Sequence, residues 1–298
     1  MFKKRETLTQ NIAYMGLMAA INVIFVLLTY FVPFLIFVLV FVLPLTSVVV
    51  TLFCQKKYLP IYMLATIGLC LIATMNNFSD TLFYVIPALI SGVVFGLLVE
   101  KKVSPIWIIF ASTLITTGLS YAFVPLIELI YGQNIITVFL TVFRVNEFTY
   151  IDYMVPCFIY LISLIQSILS YIFIRAELPK LGITIEEKTQ YLPLFIGSFL
   201  AVLLVGLSIP LFPTFSYFFS LWLAYFACYL IVDLSLEKKT YIYVGFGIAV
   251  IVTFVLFATT YTLIPLPFGF LLIDALFILI ICLAIVDNYF ITNKRDVE

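Results

Sequence analysis

The chain has 298 residues, 65% hydrophobic and 10% charged, with fifteen Lys and Arg against fifteen Asp and Glu. Soluble domains average about 45–50% apolar and about 25% charged residues, so a soluble globular fold is excluded, and zero net charge implies no nucleic-acid partner. The absence of histidine removes His-based triads, the usual proton shuttle and most zinc sites.

Solid apolar runs of about twenty residues predict transmembrane helices, whereas barrel strands alternate apolar and polar residues. Hydropathy predicts an all-α polytopic membrane protein of about ten spans. The first, 11–31, follows a basic start, "MFKKRETLTQ", and lacks a small-residue cleavage site, so it reads as a retained helix. Thr9, Ala13, Gly16 and Ala20 fall on one narrow stripe of it. Small residues let membrane helices approach closely, either inside the protein or against a partner subunit.

Spans follow at 34–53, 58–75 and 81–99. The break before the fourth carries Asn76, Asn77 and Asp80, and the fourth carries a second small stripe, Ala88, Gly92 and Gly96. The fifth span is 104–124. Residues 125–150 are apolar but interrupted by Glu128, Gly132, Gln133 and Asn134, and predict an outer re-entrant or interfacial segment. It ends in "FRVNEFTYID", and we expect it to fold as a lid with Arg144 pointing inward. Arg offers a planar fork of donors suited to a carboxylate or phosphate. The alternative is simple pairing of Arg144 with Glu147 or Glu128.

The remaining spans are 151–174, 191–209, 215–234, 241–262 and 268–290. Asp274 lies about two turns into the last one and is a candidate contact for a substrate or coupling ion. Asp233 and Asp287 fall at helix ends, where a solvated charge is ordinary. The candidate substrate-binding set is therefore Arg144, Glu128, Glu147, Asp80, Asn76 and Asp274. The candidate docking set is Ala13, Gly16, Ala20, Gly92 and Gly96.

Basic residues fall in every second gap: Lys3, Lys4 and Arg5; Lys56 and Lys57; Lys101 and Lys102; Arg175, Lys180 and Lys188; Lys238 and Lys239; Lys294 and Arg295. Fourteen of the fifteen share one side, which the positive-inside rule makes the cytoplasm, with both termini there. Arg144 is the exception, on the outer side. The hydrophilic stretch "RAELPKLGITIEEKTQ" divides the chain into a six-helix block, 1–175, a cytoplasmic linker, 176–190, and a four-helix block with a short cytoplasmic tail, 191–298. The five cysteines show no metal-type spacing, no metal or cofactor is implied, and no phosphate-binding loop or hydrolase motif occurs, so we expect no enzyme.

"LPLTSVVVTLFCQKKYLPIYML", "FYVIPALISGVVFGLLVEKK" and the closing "LAIVDNYFITNKR" resemble the YybS-like family of uncharacterised bacterial membrane proteins. The stripe of Ala13, Gly16 and Ala20 also resembles the alanine-rich docking face of S components of energy-coupling-factor (ECF) transporters, six-helix proteins close in size to block 1–175. The four extra helices have no counterpart there, and Gly16 stands where an alanine is usual. The resemblance implies a substrate-binding or transport subunit in the cell membrane, with ECF-type transmembrane and ATPase subunits as partners. The competing expectation is a membrane scaffold whose small stripes bind partner helices.

Overall fold

The computed structural model describes residues 4–75, 78–132, 134, 137, 141, 151–183, 185, 191–236, 240–260 and 268–295. The protein is an all-α polytopic membrane protein. Among the described residues there is no strand, and nine helices are long and apolar enough to cross a membrane. The chain divides into two compact units, Met1–Asn146 with Phe158–Thr189, and Glu147–Cys157 with Gln190–Glu298.

Unit 1 contains α1 (Leu8–Phe31), α2 (Ile36–Phe53), α3 (Leu59–Ala73), α4 (Ile86–Glu100), α5 (Pro105–Tyr131) and most of α6 (Ile151–Glu177). Lipid tails are as apolar as leucine, so these helices are drawn together by close packing rather than by exclusion of water. The α2–α4 contact is the tightest. A Cβ added to Gly92 would lie 2.7 Å from the Pro44 carbonyl oxygen, and one on Gly96 2.8 Å from the Thr51 Cβ. Only glycine lets two backbones come this near.

α5 continues past the predicted end of its span. Pro125 lies inside the helix, which stops only where Gly132 takes a left-handed φ of 65° and its N–H bonds the Glu128 carbonyl at 2.9 Å. The expected end of the span at 124 is thus corrected to Tyr131. An internal proline removes one backbone hydrogen bond, a loss that membrane helices tolerate.

The stretch after α6 is not a free linker. A short 3-10 turn, Leu178–Leu181, carries Leu178 and Ile183 into an apolar cluster with Val48, Leu52, Val99, Ile108 and Ile174.

The N-terminal segment is fixed as well. Thr7 caps α1 by accepting from the Gln10 N–H at 3.3 Å, and Asn11 accepts from the Gln55 N–H at 2.9 Å. Lys4 and Lys56 reach the two oxygens of Glu100, at 2.8 and 2.9 Å. The Arg5 guanidinium lies 3.3 Å above the centre of the Tyr14 ring. With exposed Lys101 and Lys102 beside Glu100, these residues define the basic end of unit 1.

Unit 2 contains α7 (Tyr191–Leu211), α8 (Ser216–Leu236), α9 (Thr240–Thr260) and α10 (Asp274–Arg295), the last preceded by a 3-10 run, Phe268–Ile273. α8 packs against α7 and α10, and α9 leans on α10. The core is made by Leu194 and Ala201 of α7, Leu223, Phe226 and Leu230 of α8, and Ile280 and Ala284 of α10.

Candidate functional site

Eight of the eleven predicted site residues lie among the described residues. Arg144, Glu147 and Asn76 lie outside the described residues. Asp80 ends a short helical turn, Phe78–Asp80, directly before the π-turn Thr81–Val85 that leads into α4. Glu128 is half-buried near the end of α5. The Gly92–Gly96 face is filled by this chain's own α2, which leaves no room for a partner helix there. Ala13, Gly16 and Ala20 remain exposed on α1, with open space where a Gly16 side chain would stand.

Two acids of α10 are buried in unit 2. Asp274 is 5% exposed, accepts from the Ser220 hydroxyl of α8 through one oxygen, and has no partner on the other among the described residues. Asp287, expected to be solvated, is instead buried and accepts from the Tyr241 hydroxyl of α9. α10 runs eight residues past Asp287, so this carboxylate lies within the helix, where the neighbouring helix supplies a donor.

The interior of unit 1 is polar without being charged, and this escaped sequence reasoning. Asn22 of α1 donates to the Tyr62 hydroxyl of α3 at 3.0 Å and accepts from the Thr46 hydroxyl of α2 at 2.8 Å. All three side chains are buried. The hydroxyls of Ser47 and Thr66, fully buried, lie beside the Tyr62 hydroxyl.

Beyond α2 lies a small crevice between α2, α4, α5 and α6. Its walls are Pro44, Gly92 and Phe95 on one side and Ser91, Ser112, Thr116, Gln166, Ser167 and Ser170 around them. Its volume is about 10 Å³, room for about one water molecule. Ser91 turns back to donate to the Ala88 carbonyl at 3.1 Å. Ser112 is buried and its hydroxyl has no partner among the described residues. Seven to eleven residues separate Ser112, Thr116, Gln166 and Ser170 from the helix ends at Pro105 and Glu177, which puts the crevice about 10–16 Å from the basic end, near mid-membrane.

α6 is arranged inside out. Ser163, Ser167 and Ser170, spaced four and three apart, form its buried stripe, while Leu161, Ile162, Ile165, Leu169 and Ile172 are exposed. That spacing in "LISLIQSILS" was the readable signal, as was Asn22, an amide in the middle of an apolar span. Among the described residues, no group of three His, Cys, Asp or Glu side chains could hold a metal ion.

No curated protein and no solved structure matches the chain. Residues 20–147, less than half of the chain, are similar to a family described as a predicted membrane protein (DUF2232); the matched stretch contains α2 to α5 and the second half of α1.

Proposed function

We propose that this protein is a substrate-binding or transport subunit for a small metabolite, and that it is not an enzyme. The observation that supports the reading is the crevice of unit 1. Polar groups in a membrane interior are costly, and they commonly mark the path or site of a solute. The resemblance to ECF S components extends the proposal. The chain has no ATP-binding motif of its own, so energy would come from ECF-type transmembrane and ATPase subunits. The uncovered stripe of Ala13, Gly16 and Ala20 is the face they would meet. The basic bias supports a cell-membrane orientation with both termini cytoplasmic.

The test is purification of the full chain in mild detergent, with mass spectrometry of the small molecules and proteins that come with it. A metabolite retained by the wild type and lost from Ser112→Leu supports the reading. A wild-type preparation carrying no solute counts against it. The exposed α1 stripe favours a second reading, a scaffold that binds partner helices. That reading is supported if partner proteins are retained, no solute is found, and Gly16→Leu releases the partners.

A further inference from the structure

The geometry points to an uncharged solute with several hydrogen-bonding groups as the ligand of the unit 1 crevice, admitted when α6 moves away from α4 and α5. This deepens the substrate-binding reading above and rests on it.

Three observations carry the inference. First, the lining exceeds the content. A water molecule makes about two to four hydrogen bonds, whereas six polar side chains surround a space of about 10 Å³, and one of them, Ser112, is buried without any partner among the described residues. A larger ligand with several donors and acceptors would use what one water cannot. Second, the lining carries no charge: no Asp, Glu, Lys or Arg is among its residues. An ionised solute would enter a low-dielectric interior with nothing to compensate it.

Third, α6 is built as a movable wall. It turns serines inward and aliphatic side chains outward. Its clustered apolar contacts in unit 1 lie near one end, where Tyr171 and Ile174, with Leu178 just past the helix, join Val48, Leu52, Phe95 and Val99. The Tyr171 and Phe95 rings are 6.0 Å apart. On the other side of the serines the one fully buried large side chain of α6 in unit 1 is Tyr160, among the described residues. Outward movement of α6 between these aromatic contacts would widen the crevice at Ser167 and leave the α2–α4 contact, to which α6 contributes no residue, in place. The competing explanation is that small hydroxyl residues merely allow close helix packing.

The two accounts separate by thiol chemistry in the membrane-embedded full chain, with all five native cysteines replaced. Ser167→Cys and Ser112→Cys report the crevice, and Ile168→Cys on the exposed face of α6 reports entry from lipid. Three methanethiosulfonates of similar size are compared: hydroxyethyl (neutral), sulfonatoethyl (anionic) and trimethylammonioethyl (cationic). Each rate is normalised to the same reagent with glutathione in water. The proposal expects the neutral reagent to modify both crevice thiols, and the charged reagents to be slower by about tenfold or more.

Thiols that are inert in the folded protein but react in SDS would overturn the site and leave a dry packing seam. Equal rates for all three reagents would overturn the neutral class and leave the site standing. Neutral-reagent rates no faster at 112 and 167 than at 168 would mean entry from lipid, and would also overturn the site. If Ser112→Cys does not run as a monodisperse species, Thr116→Cys takes its place. Inert thiols in a protein that still co-purifies with a metabolite would move the site elsewhere, while the substrate reading itself survives.

Discussion

The two units hold their helices together by different means. In unit 1 the closest approach is backbone against backbone, with Gly92 on Pro44 and Gly96 on Thr51 and the Val48 carbonyl. In unit 2 the tight glycine is Gly245 of α9, and what a Cβ there would meet is the tip of Leu283, at 2.9 Å. A backbone cannot step aside, whereas a leucine tip can rotate. The polar interiors differ in parallel. Unit 1 buries amides and hydroxyls and no carboxylate in its crevice or around Asn22, while unit 2 buries two acids, each facing a hydroxyl of a neighbouring helix. Unit 1 therefore has a fixed α2–α4 spacing and a neutral interior. Unit 2 has adjustable spacing and sites whose charge state matters.

The largest expected effect tests the contrast in packing. Gly92→Val should destabilise by about 3 kcal/mol or more, because the new side chain must push α2 off α4. Gly245→Ala should change stability by less than about 0.5 kcal/mol, since only a flexible side chain has to move. Unfolding in graded SDS measures both, and equal losses would erase the distinction. Next in size, Asn22→Leu should cost about 2 kcal/mol in the same assay, because Thr46 and Tyr62 each lose a buried partner. A neutral result there would mean that the knot does not organise α1, α2 and α3.

In unit 2, Ser220→Ala should cost about 1 kcal/mol by leaving Asp274 without its donor. Combining it with Asp274→Leu should recover most of that loss, as replacing a buried polar group by a packed apolar one often does. Failure of the double variant to recover would show that the acid has another essential contact. The smallest effect belongs to the basic end. Lys56→Met should cost no more than about 0.5 kcal/mol, as is usual for half-exposed ion pairs.

The spans were readable because a lipid interior allows few alternatives: a run of about twenty apolar residues has to be helix. The end of α5 was not readable in the same way. A proline at 125 and a glutamate at 128 suggest a boundary in the sequence, but a proline costs a membrane helix one hydrogen bond, and the sequence does not state whether neighbours make good the loss. The crevice was missed for a different reason. The sequence draws attention to charges and amides, whereas Ser167 and Ser112 are each unremarkable alone. Only the packing of four helices brings them together. Asp287 shows the reverse error, since its place near a chain end suggested solvent and the Tyr241 hydroxyl covers it instead.

The pairing of Lys4 with Glu100 spans 96 positions of sequence. During synthesis the amino terminus leaves the ribosome first, but this partner is made only after four helices have been built. At about 5–20 residues per second, the first helix waits about 5–20 s before its leading segment can lock. The same segment also waits for Gln55, roughly half as long. Insertion of α1 therefore precedes its final anchoring, and the clasp closes only when α4 is complete. A bulky fusion placed ahead of Lys4 would have to be accommodated after insertion, at the moment when the four-helix core is being sealed.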